Sequence, residues 1–248
     1  MMLAWGVACS LVAFSIGKAR ADIVWQGPQN ITGDLDVSTL GDLVKAWGQA
    51  SSTVNGVAFT TVNPGITGSQ SGGSNFGVGS NIFNNLSMPY KTLLDSASYN
   101  AFGTGNMSID LSALTVGRVY EFQAFVNDSR NNAEGVGGNR NRWNVFDSGA
   151  GSAQSGSVFQ PYRPGTNNIG QYVKGTFTAN SNTQLVRILG NAEFGPATSL
   201  INAYQVRDIT AVPEPSSILL LSSVAGLGGM FLRKRHGKKD KGVSSLPS

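Results

Sequence analysis

Asp128, Arg130, Asn132 and Glu134 fall within one polar stretch, 127–142, that also holds Asn131, Arg140 and Arg142. Hard oxygen ligands at this density suit Ca²⁺, and Asp128, Asn132 and Glu134 form the candidate metal set. The stretch lacks the regular alternation and glycine of an EF-hand loop, so a polar turn in which Asp128 pairs with an arginine competes with it. Gly135-Val136-Gly137-Gly138 lies in the same stretch, but no helix follows to present its N-terminus to a phosphate.

Sugar recognition is the second chemistry these residues could serve. It needs aromatic faces for pyranose rings and amide, carboxylate or guanidinium groups for hydroxyls. Trp143, Phe146, Phe159 and Tyr162 lie in or beside Gly-rich segments. Trp143, Phe146 and Tyr162, with Asp128 and Arg130, form the candidate ligand-binding set. The competing reading puts Trp143 and Phe146 in a core, at opposite phase on one strand.

Glycoside hydrolysis would need a pair of carboxylates, one of them with a raised pKa. Asp110, Glu121 and Asp208 fall on candidate strands, while Asp34, Asp36 and Asp42 lie in a turn-rich stretch. No spacing marks a pair, and no catalytic residue is assigned. Thr176 and Thr178 are a single pair, too few for the flat threonine array that ice binding would want. Asn30, Asn85, Asn106 and Asn127 each open an N-x-S/T sequon.

The only histidine, His236, and the only cysteine, Cys9, lie in terminal segments. A middle without imidazole or thiol excludes Ser-His-Asp catalysis, Cys-His catalysis and ordinary zinc sites. Apart from the calcium candidate, no cofactor is expected. The formal net charge is +4, yet between Asp22 and Val212 there are 10 basic and 12 acidic residues. The basic excess sits at the ends, and no nucleic-acid partner is expected.

The elements that would carry these residues read as strands. Tyr120, Phe122, Ala124 and Val126 alternate with partners that are themselves partly apolar, which predicts a strand buried on both faces. Met107, Ile109 and Leu111 mark another, and 172–178, 184–189 and 200–209 are further candidates. Asn55-Gly56 predicts a type I′ hairpin turn, because both central positions need positive φ. A short helix is predicted over 87–97, with Ser87 as cap, Pro89 in the first turn and Tyr90, Leu93 and Leu94 facing inward. The fold class is all-β: a β-sandwich or jelly roll over 22–210, with long Gly/Ser/Asn loops at 63–81, 133–141 and 148–157.

Both ends read as addresses. Leu3 to Ile16 has the length of a signal-peptide core, and Ala19-Arg20-Ala21 supplies small residues at −3 and −1, so residues 1–21 are expected to be removed and Asp22 to lead the product. Gly6-Val7-Ala8 is a poor lead-in for a lipidated Cys9, and that reading is rejected. At the other end, Ser217 to Leu232 is uncharged and apolar and is closed by Arg233-Lys234-Arg235. From Ile218 to Leu232, at about 1.5 Å per residue, it spans about 22 Å of a roughly 30 Å hydrocarbon layer. Snorkelling by Arg233 and Lys234 and local thinning make it a single transmembrane helix, with 236–248 as a cytoplasmic tail.

Val212-Pro213-Glu214-Pro215, the apolar helix and the Arg233-Lys234-Arg235 cluster together resemble the PEP-CTERM sorting signal over 211–235. The resemblance implies secretion machinery and an exosortase as partners, processing near Pro213-Glu214-Pro215, and delivery to the cell surface or extracellular matrix of an exopolysaccharide producer. Members usually stop soon after the basic cluster, whereas this chain continues from His236 to Ser248. Within the body, 53–59, 126–130 and 170–179 resemble secreted PEP-CTERM proteins of planctomycetes and their relatives, which implies a secreted β-sandwich without an assignable activity. The resulting expectation is a non-catalytic surface or matrix protein that binds exopolysaccharide. A polysaccharide-active enzyme with paired carboxylates and a purely structural matrix protein are its alternatives.

Overall fold

The computed structural model describes residues 20–62, 64–68, 71–76, 86–100, 106–128, 142–148, 158–161, 170–192 and 198–210. The chain divides into two compact units, Met1–Thr210 and Ala211–Ser248, and all described residues lie in the first. Residues 1–19, most of the predicted leader, fall outside them, as do the predicted membrane helix and the terminal tail. Among the described residues no helix is long and apolar enough to cross a membrane.

In chain order the first strands are β1 (Val24–Trp25), β2 (Gln29–Asn30), β3 (Asp42–Gly48), β4 (Ser52–Val54), β5 (Val57–Phe59), β6 (Ile66–Thr67) and β7 (Ser71–Gly73). Helix α1 (Met88–Asp95) follows, then β8 (Ala97–Asn100), β9 (Asn106–Leu111), β10 (Val119–Val126), β11 (Arg142–Asp147) and β12 (Val158–Pro161). The last are β13 (Gln171–Thr178), β14 (Gln184–Ala192), β15 (Ser199–Ile201) and β16 (Ala203–Asp208). One antiparallel sheet runs β1-β13-β10-β16-β3, with β2 also on β13; a second runs β12-β11-β14-β9-β6. Smaller sheets are β15-β8-β7 and the hairpin β4-β5.

The main core lies between the two large sheets. Tyr120, Phe122, Ala124 and Val126 of β10, with Val173 and Phe177 of β13, form one cluster with Met107, Ile109 and Leu111 of β9 and Val186 and Ile188 of β14. On its opposite face β10 contributes Phe125 to a second core with Val54, Val57, Phe59, Tyr90, Leu93 and Leu94. That two-sided burial is why β10 reads as a nearly continuous apolar run rather than a clean alternation. Gly175, facing Phe122 in register, leaves room for Trp25: a Cβ there would lie 2.4 Å from Ile23 Cγ2 and 2.7 Å from the Trp25 ring. Trp25 uses that space to meet Phe122 edge to face at 6.0 Å.

The hairpin turns at Asn55 and Gly56, with φ of 47° and 75° as a type I′ turn requires. Ser87 caps α1, its hydroxyl accepting from Tyr90 N at 3.3 Å, and Tyr90, Leu93 and Leu94 are fully buried. Two expectations change. The stretch read as turns at Asp42 contains β3, whose pairing to β16 shifts register between Val206 and Arg207. The single strand expected over 200–209 is broken at Asn202, so that β15 and β16 join different sheets.

The core holds three phenols whose pKa values are raised: Tyr90 by burial and then by Asp36 and Asp34, Tyr204 by burial, and Tyr172 by burial, Asp36 and Glu121. A raised folded-state value means that the fold favours the neutral phenol. This contribution is complete below the unfolded value of about 10 and is lost as pH rises through the higher folded values. Stability is therefore expected to fall steeply above about pH 10, with phenolate absorbance growing in the same transition that removes the β signal in circular dichroism. Complete phenolate formation in a chain that stays folded would contradict this.

Candidate functional site

The end of the sandwich where β10 runs into 127–142 is built from asparagines. Helix α1 leaves carbonyls of its last turn without intrahelical donors. Leu94 O receives Asn127 Nδ2 at 3.1 Å and Asn202 Nδ2 at 2.7 Å, and Ser96 O receives Asn202 Nδ2 at 3.0 Å. Asn127 N donates to Asn202 Oδ1 at 2.6 Å, Gly170 N to Asn127 Oδ1 at 3.1 Å, and Asn127 Nδ2 also reaches Phe76 O. On β11, Asn144 makes both a donated bond (2.6 Å) and an accepted bond (3.2 Å) to the Leu200 backbone, acting as a ladder partner for β15. All three carboxamides are fully buried. Asn202 marks the break between β15 and β16; its N–H donates to Phe125 O at 3.0 Å and its carbonyl accepts from Gln49 N at 3.0 Å, while its side chain ties the break to α1 and Asn127.

The same stretch holds the expected ligand residues. Phe146 is fully buried and lies 5.9 Å from Trp25, so it offers no face to a ligand. Asp128 is buried as well. Trp143 belongs to β11, while Arg130, Asn132, Glu134 and Tyr162 fall outside the described residues. Of the candidate ligand residues, Phe146 belongs to the core. Among the described residues no group of three or more His, Cys, Asp or Glu side chains could hold a metal ion. Asn127, read as a sequon, is a structural hub. The detectable signal was its place at the end of a strand buried on both faces.

The outer face of the first sheet is covered by the segment from Ile31 to Gly41. Ser38 N donates to Gln123 Oε1 (3.0 Å), Gln123 Nε2 to Asp36 O (2.7 Å) and Gln205 Nε2 to Ser38 O (3.0 Å). Arg207 reaches Leu40 O (2.6 Å), Gly41 O (2.7 Å) and Thr39 O (3.2 Å). Burial pulls its guanidinium below the ordinary value, against the opposing influence of Glu121 and Asp42. Gly41 has φ of +66°, and a Cβ there would meet Asp208 O at 2.1 Å, so the segment can approach β16 only with glycine.

Several carboxylates of the body have structural partners. Asp147 makes a two-pronged bridge to Arg187 at 2.6 and 2.8 Å, Asp208 pairs with Arg118 at 2.9 Å, and Glu121 lies 3.9 Å from Lys174. Asp36 accepts from Gly33 N at 2.9 Å, and Asp34 from Ser87 N at 3.2 Å. An open depression of about 520 Å³ lies beside β1 and β13, lined by Arg20, Asp22, Val24, Thr176 and Thr178 among others. It presents polar groups but no exposed aromatic ring.

Residues 211–235 match the family described as the PEP-CTERM protein-sorting motif. That motif implies exosortase-dependent export to the cell surface and processing by exosortase-type machinery. No curated protein matches the chain. Among solved structures, the ANXUR1 extracellular domain from Arabidopsis thaliana is similar at 13% identity and a TM-score of 0.43, over 79% of this chain and 52% of that one. The ANX2 ectodomain from the same plant is similar at 12% identity and 0.42, over 79% and 54%. The chain spans about half the length of both.

Proposed function

We propose that this chain is an exported, non-catalytic protein of the cell surface or extracellular matrix whose body binds exopolysaccharide. The observation that carries the reading is the sorting motif at 211–235, which implies delivery of the body to the cell surface. The resemblance of 53–59, 126–130 and 170–179 to secreted PEP-CTERM proteins of planctomycetes supports it. So do the ion pairs of Asp147 with Arg187 and of Asp208 with Arg118, which engage these two carboxylates. With Phe146 in the core, the binding surface rests on Trp143 and Tyr162. Weak contacts suffice in a matrix, because many copies on one polymer bind multivalently.

The test incubates the protein with the polysaccharide of its own cells and scores retention and release of reducing ends separately. Retention without release is expected, and Trp143→Ala with Tyr162→Ala should weaken it about tenfold, roughly 1.4 kcal/mol. Steady release of reducing ends, abolished by one acidic substitution, would replace this reading with the enzyme. Neither retention nor release would replace it with a purely structural protein.

A further inference from the structure

Ala21, which the A-x-A reading discards with the leader, belongs to the folded domain. It is 8% exposed and sits in the main core cluster, next to Asp22 and ahead of the buried Ile23. Its N–H donates to Gln184 Oε1 at 3.1 Å and its carbonyl accepts from Gln184 Nε2 at 3.0 Å. Gln184 is itself 1% exposed, and its Nε2 also reaches Ser148 O at 3.1 Å and Leu185 O at 3.0 Å. The carboxamide therefore grips Ala21 through both of its backbone groups, as a strand partner would.

A cut between Ala21 and Asp22 removes both of those groups. It takes the Ala21 donor from a buried Gln184 Oε1 and places a new ammonium on Asp22 beside that carboxamide. Leaving buried polar atoms without partners is the costly side of hydrogen bonding. A cut one small residue earlier avoids this. Gly17 and Ala19 stand at −3 and −1 of the Ala19–Arg20 bond, so this bond satisfies the same small-residue rule. The new ammonium would then sit on Arg20, which is exposed. Both bonds suit a leader peptidase, and only one of them gives a product that keeps the Gln184 pairing.

We infer that the leader is removed at Ala19–Arg20 and that the exported chain begins at Arg20. The inference rests on the export reading, and one experiment separates the two. The N-terminal peptide of the protein isolated from its own cells is sequenced by mass spectrometry. Arg20 as first residue is the expected result. Asp22 or a later residue overturns the cut site while leaving export intact, whereas an uncut chain held inside the cell overturns export itself and the cut with it. A second comparison reads the physical cause, using chains that begin at Arg20 or at Asp22 and both run to Ser248. The shorter chain should show a folding equilibrium constant about tenfold smaller, and Gln184→Ala should weaken the Arg20 chain far more than the Asp22 chain. Equal stability, or equal sensitivity to Gln184→Ala, overturns the role given to Ala21.

Discussion

Asn202→Leu should lower the unfolding free energy by about 4 kcal/mol, the largest effect expected of any single side chain in the body. The substitution keeps the volume but removes three side-chain hydrogen bonds, to Asn127 N, Leu94 O and Ser96 O. Asn127 N is buried and loses its side-chain acceptor, Leu94 O keeps only the Asn127 Nδ2 bond, and unmade buried bonds cost about 1–3 kcal/mol apiece. Domains are stable by only about 5–15 kcal/mol, so the variant should lie near the edge of folding at physiological temperature. Asn106→Ala is the control: that side chain is exposed, and the change should stay within about 0.5 kcal/mol. Chemical unfolding followed by circular dichroism reads both. An unshifted midpoint for Asn202→Leu would mean that the asparagine network does not brace the sandwich end.

The second large effect is on location. Replacing Pro213, Glu214 and Pro215 together by alanine should abolish appearance of the body at the cell surface, with the full-length chain accumulating in the membrane fraction. The body itself should be untouched, since the chain divides at Thr210 and the motif lies wholly beyond it. Unfolding midpoints of the variant and the parent should therefore agree. Surface delivery that survives the triple change would mean that 211–235 does not act as the sorting signal.

What the sequence discloses about this fold follows from how local each cause is. The Asn55-Gly56 turn, the Ser87 cap and the alternation in β9, β10 and β13 depend on neighbours within a few residues, and they can be read directly. Phe146 could be placed on a strand but not on a side of it, because the side that faces the core is decided by Trp25, far away in sequence. Asn202 sits among apolar residues, so the run reads as one strand; that its two halves join different sheets depends on distant partners of β15 and β16. Arg207 and Gln205 look like ordinary outward positions of an exposed sheet face. The segment from Ile31 to Gly41 covers them, and a glycine at position 41 with positive φ is its only local trace. The candidate site was the least legible part, since aromatic and polar residues of one stretch can be divided between a core and a surface without any change in their spacing. The tail at 211–235 behaves oppositely. It is read as a linear signal, so its residues carry the assignment by themselves.

Delivery of the body to the cell surface by the tail, followed by separation of the two, leaves a trace that can be followed in cells. The most direct measurement places one epitope in the body, within the Gly/Ser stretch 148–157, and a second after Ser248, then follows both in intact cells. A surface species that carries the body epitope and lacks the terminal one is expected. A chain that keeps both epitopes and remains inaccessible from outside the cell would contradict it.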